Sequence, residues 1–173
     1  WNYWSEPEEQ LGGRRLWLPR GKCLGGTSSI NGMVYSRGHP LDYDEWAALG
    51  AQGWGWADVL PYFRRSEASW RGASAWHGGE GPLTVSPVDA AGPVFDATMA
   101  AARARGWRVN DDQHGAATGE GFSPPEVTVH RGKRASSATQ YLHPVAHRPN
   151  LTVITGALVN RVVIEGNRAV GVE

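Results

Sequence analysis

Helical periodicity marks several segments of the chain. In the clearest one, Phe95, Met99 and Ala102 recur at i, i+4 and i+7 before Gly106, a residue that commonly ends helices. Similar patterns predict helices over residues 40–49, 57–68, 93–105 and about 136–146. A shorter helix is expected to begin near the hydroxyl residues 27–29. Pro61 is compatible with the second helix only if it lies in the first turn.

Short apolar runs between turn residues predict strands. They are expected over residues 83–85, 126–130, 150–155, 159–164 and 168–173. Residues 1–18 show no clean period and are predicted to form an irregular arm. Because helices and strands are interspersed, the predicted fold class is mixed α/β (α+β). The strands beyond residue 120 would have open edges that another copy or a partner chain would need to cover.

Length and charge exclude several functions. The 173 residues correspond to one domain or to pieces of two. Lys+Arg and Asp+Glu number 17 each, and this balance excludes a strongly basic nucleic-acid-binding surface. No apolar run approaches the roughly 18 residues of a membrane span. The chain opens on Trp1 without Met and stops at Glu173 after a strand-like run, so we expect an internal fragment of a longer protein.

The composition indicates a folded protein rich in loops. There are 23 glycines and 11 prolines, but nine tryptophans argue against disorder, and we expect their rings to anchor irregular backbone. The lone cysteine, Cys23, excludes an internal disulfide and a thiolate-rich metal site. We expect Cys23 to be a small packed residue. A single cysteine is compatible with a reducing compartment.

A glycine-rich stretch contains most of the candidate chemistry. Gly25 and Gly26 let the backbone approach a ligand, and the following hydroxyl residues suit a helix start that favours an anion. An ordinary glycine-rich turn with a capped helix explains the same residues equally well. The dinucleotide motif G-x-G-x-x-G is missing, since Gly53-Trp-Gly55 and Gly119-Glu-Gly121 lack the third glycine.

Three other readings are less favoured. His143 and His147 have the i, i+4 spacing of a metal pair but lack the glutamate of H-E-x-x-H, so a solvated face is expected. A hydrolase using Ser28 or Ser29 would need a G-x-S-x-G elbow, which the sequence lacks. Asp111-Asp112 is predicted to be a loop cap or a solvated pair rather than an acid/base dyad.

The stretch over residues 19–38, PRGKCLGGTSSINGMVYSRG, resembles the first signature of the glucose–methanol–choline (GMC) family of FAD oxidoreductases. Six further segments agree in order and spacing with choline dehydrogenase-like members: residues 42–46, 56–67, 76–83, 132–137, 149–153 and 168–173. The resemblance therefore covers essentially the whole chain. Several ordered motifs make it more specific than one glycine-rich loop.

The resemblance implies an enzyme that oxidises an alcohol to an aldehyde or ketone by hydride transfer to FAD. The positions matching the family's cofactor contacts are Cys23, Gly25, Gly26, Thr27, Asn31, Gly32, Met33, Val34 and Val159. In the family, residues 23–27 run along the cofactor, 31–34 contact the flavin, and the position of Val159 contacts the adenine end. Some members attach FAD through a histidine just before the asparagine. Here that position is Ile30, so non-covalent FAD is expected.

The resemblance also implies parts that this sequence lacks. Family members carry an upstream G-x-G-x-x-G turn and a downstream histidine pair that takes the alcohol proton. Neither has a match here, so no catalytic residue and no metal ligand is assigned. The isolated segment is expected to retain little FAD and to be inactive.

The predicted organisation has three parts. Residues 1–85 are assigned to the FAD-binding domain, 86–135 to the start of the substrate domain, and 136–173 to a return to the FAD-binding domain. The expected ligand is a small alcohol, and the expected location is the cytoplasm, with peripheral membrane association left open. A standalone non-enzymatic remnant or binding module is the alternative function.

Overall fold

The computed structural model describes residues 1–89, 91–115 and 121–173. Within them the α-helices are α1 (Pro40–Ala48), α2 (Trp56–Ser66) and α3 (Pro93–Ala104). The strands are β1 (Asn2–Trp4), β2 (Trp17–Pro19), β3 (Val34–Tyr35), β4 (Glu67–Ser69), β5 (Leu83–Pro87), β6 (Glu126–Val127), β7 (Val129–His130), β8 (Lys133–Arg134), β9 (Val162–Glu165) and β10 (Arg168–Val172). The Gly119-Glu-Gly121 motif lies mostly outside the described residues.

The central sheet has four strands in the order β3-β6-β5-β4. Strands β4 and β5 run parallel, while β6 is antiparallel to both of its neighbours. Its register places Val34 opposite Val127 and Tyr35 opposite Glu126. Three hairpins, β1-β2, β7-β8 and β9-β10, complete the described strands. The predicted mixed α/β class is confirmed.

The helices follow their predicted boundaries closely. Helix α1 begins with a capping box, in which Asp42 Oδ2 accepts from His39 N at 2.7 Å and Pro40 occupies the first turn. Helix α2 stops at Ser66, before the predicted end, because Glu67–Ser69 pairs with β5 as strand β4. Pro61 lies inside α2, not in its first turn, and so removes one backbone hydrogen bond.

Several strand predictions are wrong. Residues 1–18 are not an irregular arm, because β1 and β2 pair within them and continue to Pro19. The strand over 126–130 is split at Thr128, whose N–H donates to Met33 O at 2.8 Å while its C=O accepts from Ala135 N at 3.0 Å, so the chain changes partners there and β6 and β7 join different sheets. Residues 150–155 form no strand, since no described strand lies alongside to complete a ladder.

Two further predicted elements differ in type or extent. The helix over 136–146 occurs as a π-helix (Ala138–Leu142) followed by a 3-10 turn (His143–Val145), where Pro144 lacks the N–H that would continue an α-helix. The strand over 159–164 begins only at Val162.

The core is small and unusually ionic. Its buried apolar residues are Tyr35, Val85, Met99, Ala102, Ala135 and Ala138. Its buried polar residues are Arg37, Glu67, Ser69, His77, His114, Glu126 and Ser136. Seven of the nine tryptophans, expected to anchor irregular backbone, are exposed: Trp1, Trp4, Trp17, Trp46, Trp54, Trp70 and Trp107. Trp70 nevertheless holds a buried group, because its Nε1 donates to Glu126 Oε1 at 2.7 Å. Two of these seven stack on a neighbouring ring, Trp1 on Tyr3 and Trp107 on Phe122.

The domain division stays a prediction. Strand β5 crosses the predicted boundary after residue 85, and the central sheet draws strands from both sides of it. None of the helices in the described residues combines the length and apolar character that a bilayer crossing requires.

Candidate functional site

The glycine-rich stretch folds into a tight turn with an open outer side. Gly25 and Gly26 have φ angles of 86° and 54°, a region that favours glycine. A Cβ on Gly25 would lie 2.4 Å from Ser29 Oγ, so packing beneath the turn requires glycine there. At Gly26 and Gly32 an added Cβ would meet nothing within 4 Å. The backbone at these two positions is therefore open to an approaching ligand.

The helix start predicted after Gly26 is a 3-10 turn of four residues, Gly26–Ser29. So short an element has only a few aligned peptide dipoles, and the macrodipole argument for anion binding does not hold. The chain leaves the turn because Met33 adopts φ 63° and then enters β3.

Serine hydroxyl groups hold the turn through hydrogen bonds to backbone atoms. Ser28 Oγ donates to Gly25 O at 2.5 Å and accepts from Ser137 N at 2.9 Å. Ser29 Oγ donates to Leu24 O at 2.8 Å. Among the described residues, neither serine is hydrogen-bonded to a histidine, which a hydrolase mechanism would require.

The next turn, over Asn31–Val34, is fixed by Arg134 of β8. Arg134 Nη1 donates to Asn31 O at 2.7 Å, to Asn31 Oδ1 at 2.8 Å and to Ser28 O at 3.2 Å. Asn31 Oδ1 also accepts from Met33 N at 3.0 Å. The structure thus brings four predicted site residues together in one supported turn. We refer to residues 21–34 as the flavin loop, after the flavin contacts that the resemblance implies for residues 31–34.

The other end of the flavin loop lines a cleft of about 430 Å³. Cys23 and Lys22 form one wall, residues 154–158 form another, and Trp1 closes one side with its ring 4.6 Å from Lys22 Nζ. Cys23 is exposed, so its predicted packing is wrong. Val159 is also exposed and directly follows the cleft segment. Of the predicted cofactor residues, Cys23 thus lines this cleft, and Val159 follows one of its walls in the chain.

A buried ion-pair system lies next to the flavin loop. Glu67 Oε2 accepts from Arg37 Nη2 at 2.8 Å and from Gly78 N at 2.8 Å. The charged side chains of Arg37 and Glu67 are about 1% exposed or less. His77 bridges Glu67 and Asp112, with Nδ1 3.2 Å from Glu67 Oε2 and Nε2 3.0 Å from Asp112 Oδ2.

These contacts shift both central groups toward their charged forms. Burial raises the pKa of Glu67, but hydrogen bonds from His77 and Gly78 and the charge of Arg37 outweigh it and lower the pKa overall. The hydrogen bond to Glu67, reinforced by Asp112, raises the pKa of His77 against its desolvation.

The system closes on itself through His114. Asp112 Oδ1 accepts from His114 N at 3.0 Å, and His114 Nε2 accepts from Arg37 N at 3.1 Å. We call Arg37, Glu67, His77, Asp112 and His114 the ion-pair circuit. Because Nε2 accepts, the His114 proton is on Nδ1, which lies 3.4 Å from Glu126 Oε2.

Glu126 of β6 joins the circuit to the central sheet. Its Oε1 accepts from Trp70 Nε1 at 2.7 Å and from Arg71 Nε at 3.0 Å. Burial opposes ionisation of Glu126, but the adjacent His114 ring and hydrogen bonds from Trp70 and Arg71 lower its pKa to about 2. Glu126 pairs with Tyr35, the residue after Val34, so the circuit fixes the strand that leaves the flavin loop.

Sequence reasoning missed most of this circuit. The loop cap predicted for Asp111-Asp112 is confirmed at Asp112, but its pairing with His77 was not anticipated. The WHGG stretch was one sequence signal for a close backbone contact beside His77. A Cβ on Gly78 would lie 1.8 Å from Arg64 O, so only glycine fits there. Among the described residues, no group of three or more His, Cys, Asp or Glu side chains could hold a metal ion.

Comparison with known proteins gives matches over nearly the whole chain. A family model described as GMC oxidoreductase matches residues 9–173. Oxygen-dependent choline dehydrogenases from Brucella ovis and Sinorhizobium fredii are 50% and 49% identical to the chain over 173 residues. The match covers 100% of this chain but 31% of each of those proteins. The chain therefore spans under a third of the length of these curated relatives.

Solved structures show the same partial coverage. Pyridoxine 4-oxidase from Mesorbium loti superposes with a TM-score of 0.88 at 32% identity, covering 98% of this chain and 34% of that one. An FAD-dependent oxidoreductase from Chaetomium thermophilum superposes with a TM-score of 0.87 at 28% identity, covering 98% and 31%.

Proposed function

Because the chain belongs to the GMC oxidoreductase family, we propose that it forms part of an FAD-dependent enzyme that oxidises a small alcohol to an aldehyde or ketone. Bound FAD would supply the hydride acceptor. The named relatives favour choline or a similar alcohol as the substrate. This chain contributes the residues that hold the flavin, and no catalytic residue is assigned to it.

The supported turn of the flavin loop is the observation that carries this proposal. Arg134 and the Asn31 side chain hold Met33 at a positive φ, while the backbone at Gly26 and Gly32 stays open. A flat, hydrogen-bonding ring fits such a surface, since no side chain stands between the ring and the backbone.

The residues proposed to bind FAD are Cys23, Gly25, Gly26, Thr27, Asn31, Gly32, Met33, Val34 and Val159. The Ile30 side chain has no nucleophilic atom, so this position offers no covalent attachment to the cofactor. We therefore propose that FAD is held non-covalently.

Substitution of Gly32 by valine tests this site. Because an added Cβ meets nothing within 4 Å, Gly32→Val should leave the thermal stability of the apoprotein within about 2 °C of wild type. The valine would obstruct the cofactor and lower FAD affinity about tenfold or more. The measurement is the flavin-to-protein ratio after the protein, purified as its gene encodes it, is incubated with FAD and desalted.

Gly171→Val is the matched control, because Gly171 also has open space around an added Cβ but lies in β10. Retention of FAD by both variants would contradict the proposed site. Failure of the wild type to retain FAD would contradict the proposed function and favour a non-enzymatic binding module.

FAD is also expected to protect Cys23. The exposed thiol lies on the wall of the cleft, and it is the sole cysteine of the 173 residues. Alkylation by iodoacetamide should slow about tenfold with saturating FAD, as read by the mass of the peptide that contains Cys23. Unchanged alkylation at full FAD occupancy would place the cofactor away from this wall.

A further inference from the structure

Arg134 lies in the GKRASS segment, to which the sequence assigned no role. Its Nη1 reaches three oxygen atoms of the flavin loop at 2.7–3.2 Å. Two are backbone carbonyls, of Ser28 and Asn31, and the third is the Asn31 side-chain oxygen. Arg134 is half-buried, so these charge-assisted bonds form with partial shielding from water.

This contact decides which way the Asn31 amide faces. Both groups beside its inner atom, Arg134 Nη1 and Met33 N, are donors. Only an oxygen can accept from them, so Oδ1 is inside and the Nδ2 amino group is outside. Among the described residues, none accepts a hydrogen bond from Asn31 Nδ2, and the residue is exposed. The outer face of Asn31 therefore presents two N–H donors that no described residue uses.

We propose that Arg134 is a positioning residue that locks the Asn31 amide with its N–H donors toward the cofactor. This inference rests on the proposed function, because the group that accepts from Nδ2 is assigned to FAD. It adds a requirement on the ligand: the atom placed against Asn31 must be an acceptor, such as a carbonyl oxygen or an unprotonated ring nitrogen.

A purely structural role for the contact makes a different prediction. In that case Asn31→Asp should leave both the melting temperature and the FAD affinity unchanged or higher, since a carboxylate accepts from Met33 N and pairs more strongly with Arg134. On our proposal the second carboxylate oxygen replaces the outward donors. Stability and cofactor affinity should then change in opposite directions.

The test compares Asn31→Asp with the wild type, both purified as the gene encodes them. We expect the melting temperature of the apoprotein to be equal or higher in the variant. We expect FAD, titrated by fluorescence quenching, to bind about tenfold or more weakly. Asn150→Asp, which adds the same charge at an exposed asparagine outside the loop, should bind FAD as wild type does.

Arg134 is tested directly with two further variants. Arg134→Met should weaken FAD binding several-fold by freeing the amide to rotate, and Arg134→Lys should restore part of the loss. Lys133→Met, at the exposed neighbour in β8, is the control for lost charge. Should Arg134→Met not fold, the Asn31→Asp comparison still decides.

The outcomes separate the two proposals. Equal FAD affinity in Asn31→Asp and wild type overturns the positioning role and leaves the proposed function standing. Parallel losses of stability and affinity in Asn31→Asp also overturn it, because they indicate a structural defect. A wild type that binds no FAD overturns both proposals.

Discussion

Removing the Glu67 carboxylate is expected to lower the free energy of unfolding by about 3–5 kcal/mol. The substitution Glu67→Met would leave the Arg37 guanidinium buried without its counter-charge. It would also leave Gly78 N and His77 Nδ1 without their acceptor. Domains of this size are stable by only about 5–15 kcal/mol, so the loss would remove a large share of the total.

A double-mutant cycle in urea measures this effect. Arg37→Met should be similarly costly, while the double variant should lose clearly less than the sum, since two apolar side chains then replace two paired charges. Arg64→Met, at an exposed arginine near the end of α2, should change stability by about 0.5 kcal/mol or less. If Glu67→Met loses no more than this control, the ion-pair circuit does not stabilise the fold.

The second large effect is loss of stability in acid. Glu126 has a folded-state pKa of about 2 against an ordinary value of 4.5. Its contribution is complete above pH 4.5 and declines as the pH falls toward 2. The difference corresponds to about 3 kcal/mol. Glu67 contributes in the same direction because its pKa is also lowered.

His77 limits the stability of the fold at high pH. Its pKa lies above the ordinary 6.5, so its contribution is complete below pH 6.5 and is lost as the pH rises through the folded-state pKa. The two effects together place maximal stability between pH 4.5 and 6.5. A neutral His77 would keep one hydrogen bond but lose its charge between two carboxylates.

The free energy of unfolding, measured in urea across this pH range, tests both effects. Its fall at low pH is the acid limb, and its fall at high pH is the alkaline limb. Glu126→Gln should flatten the acid limb, His77→Gln should flatten the alkaline limb, and Glu165→Gln, at an exposed carboxyl, should alter neither. An acid limb that stays equally steep in Glu126→Gln would assign acid sensitivity to other carboxyls.

Local signals predicted the helices better than the strands. Helices α1 and α3 match their predicted ranges because a proline at the helix start and regular apolar spacing are both visible in neighbouring residues. Residues 150–155 carry an equally apolar run, yet whether such a run forms a strand depends on a partner elsewhere in the chain. The division at Thr128 likewise depends on Met33, far away in sequence.

The candidate site divides in the same way. The glycine-rich turn could be recognised from consecutive residues, and its glycines have the expected φ angles. The ion-pair circuit joins residues from separate loops and strands, and no local pattern showed that Arg37 would meet Glu67 in the interior. Charged residues ordinarily indicate surface, which is why buried charges were missed.

The supports of the flavin loop also set an order of events during synthesis. Ser137 Oγ bonds Gly25 O across 112 positions, and Arg134 reaches Asn31 across 103. A ribosome that has made only the glycine-rich turn has therefore not yet made the residues that shape it. These two supporting contacts can form only after Ser137 has left the exit tunnel. Cofactor loading at the proposed site would accordingly follow translation of the loop by more than a hundred codons.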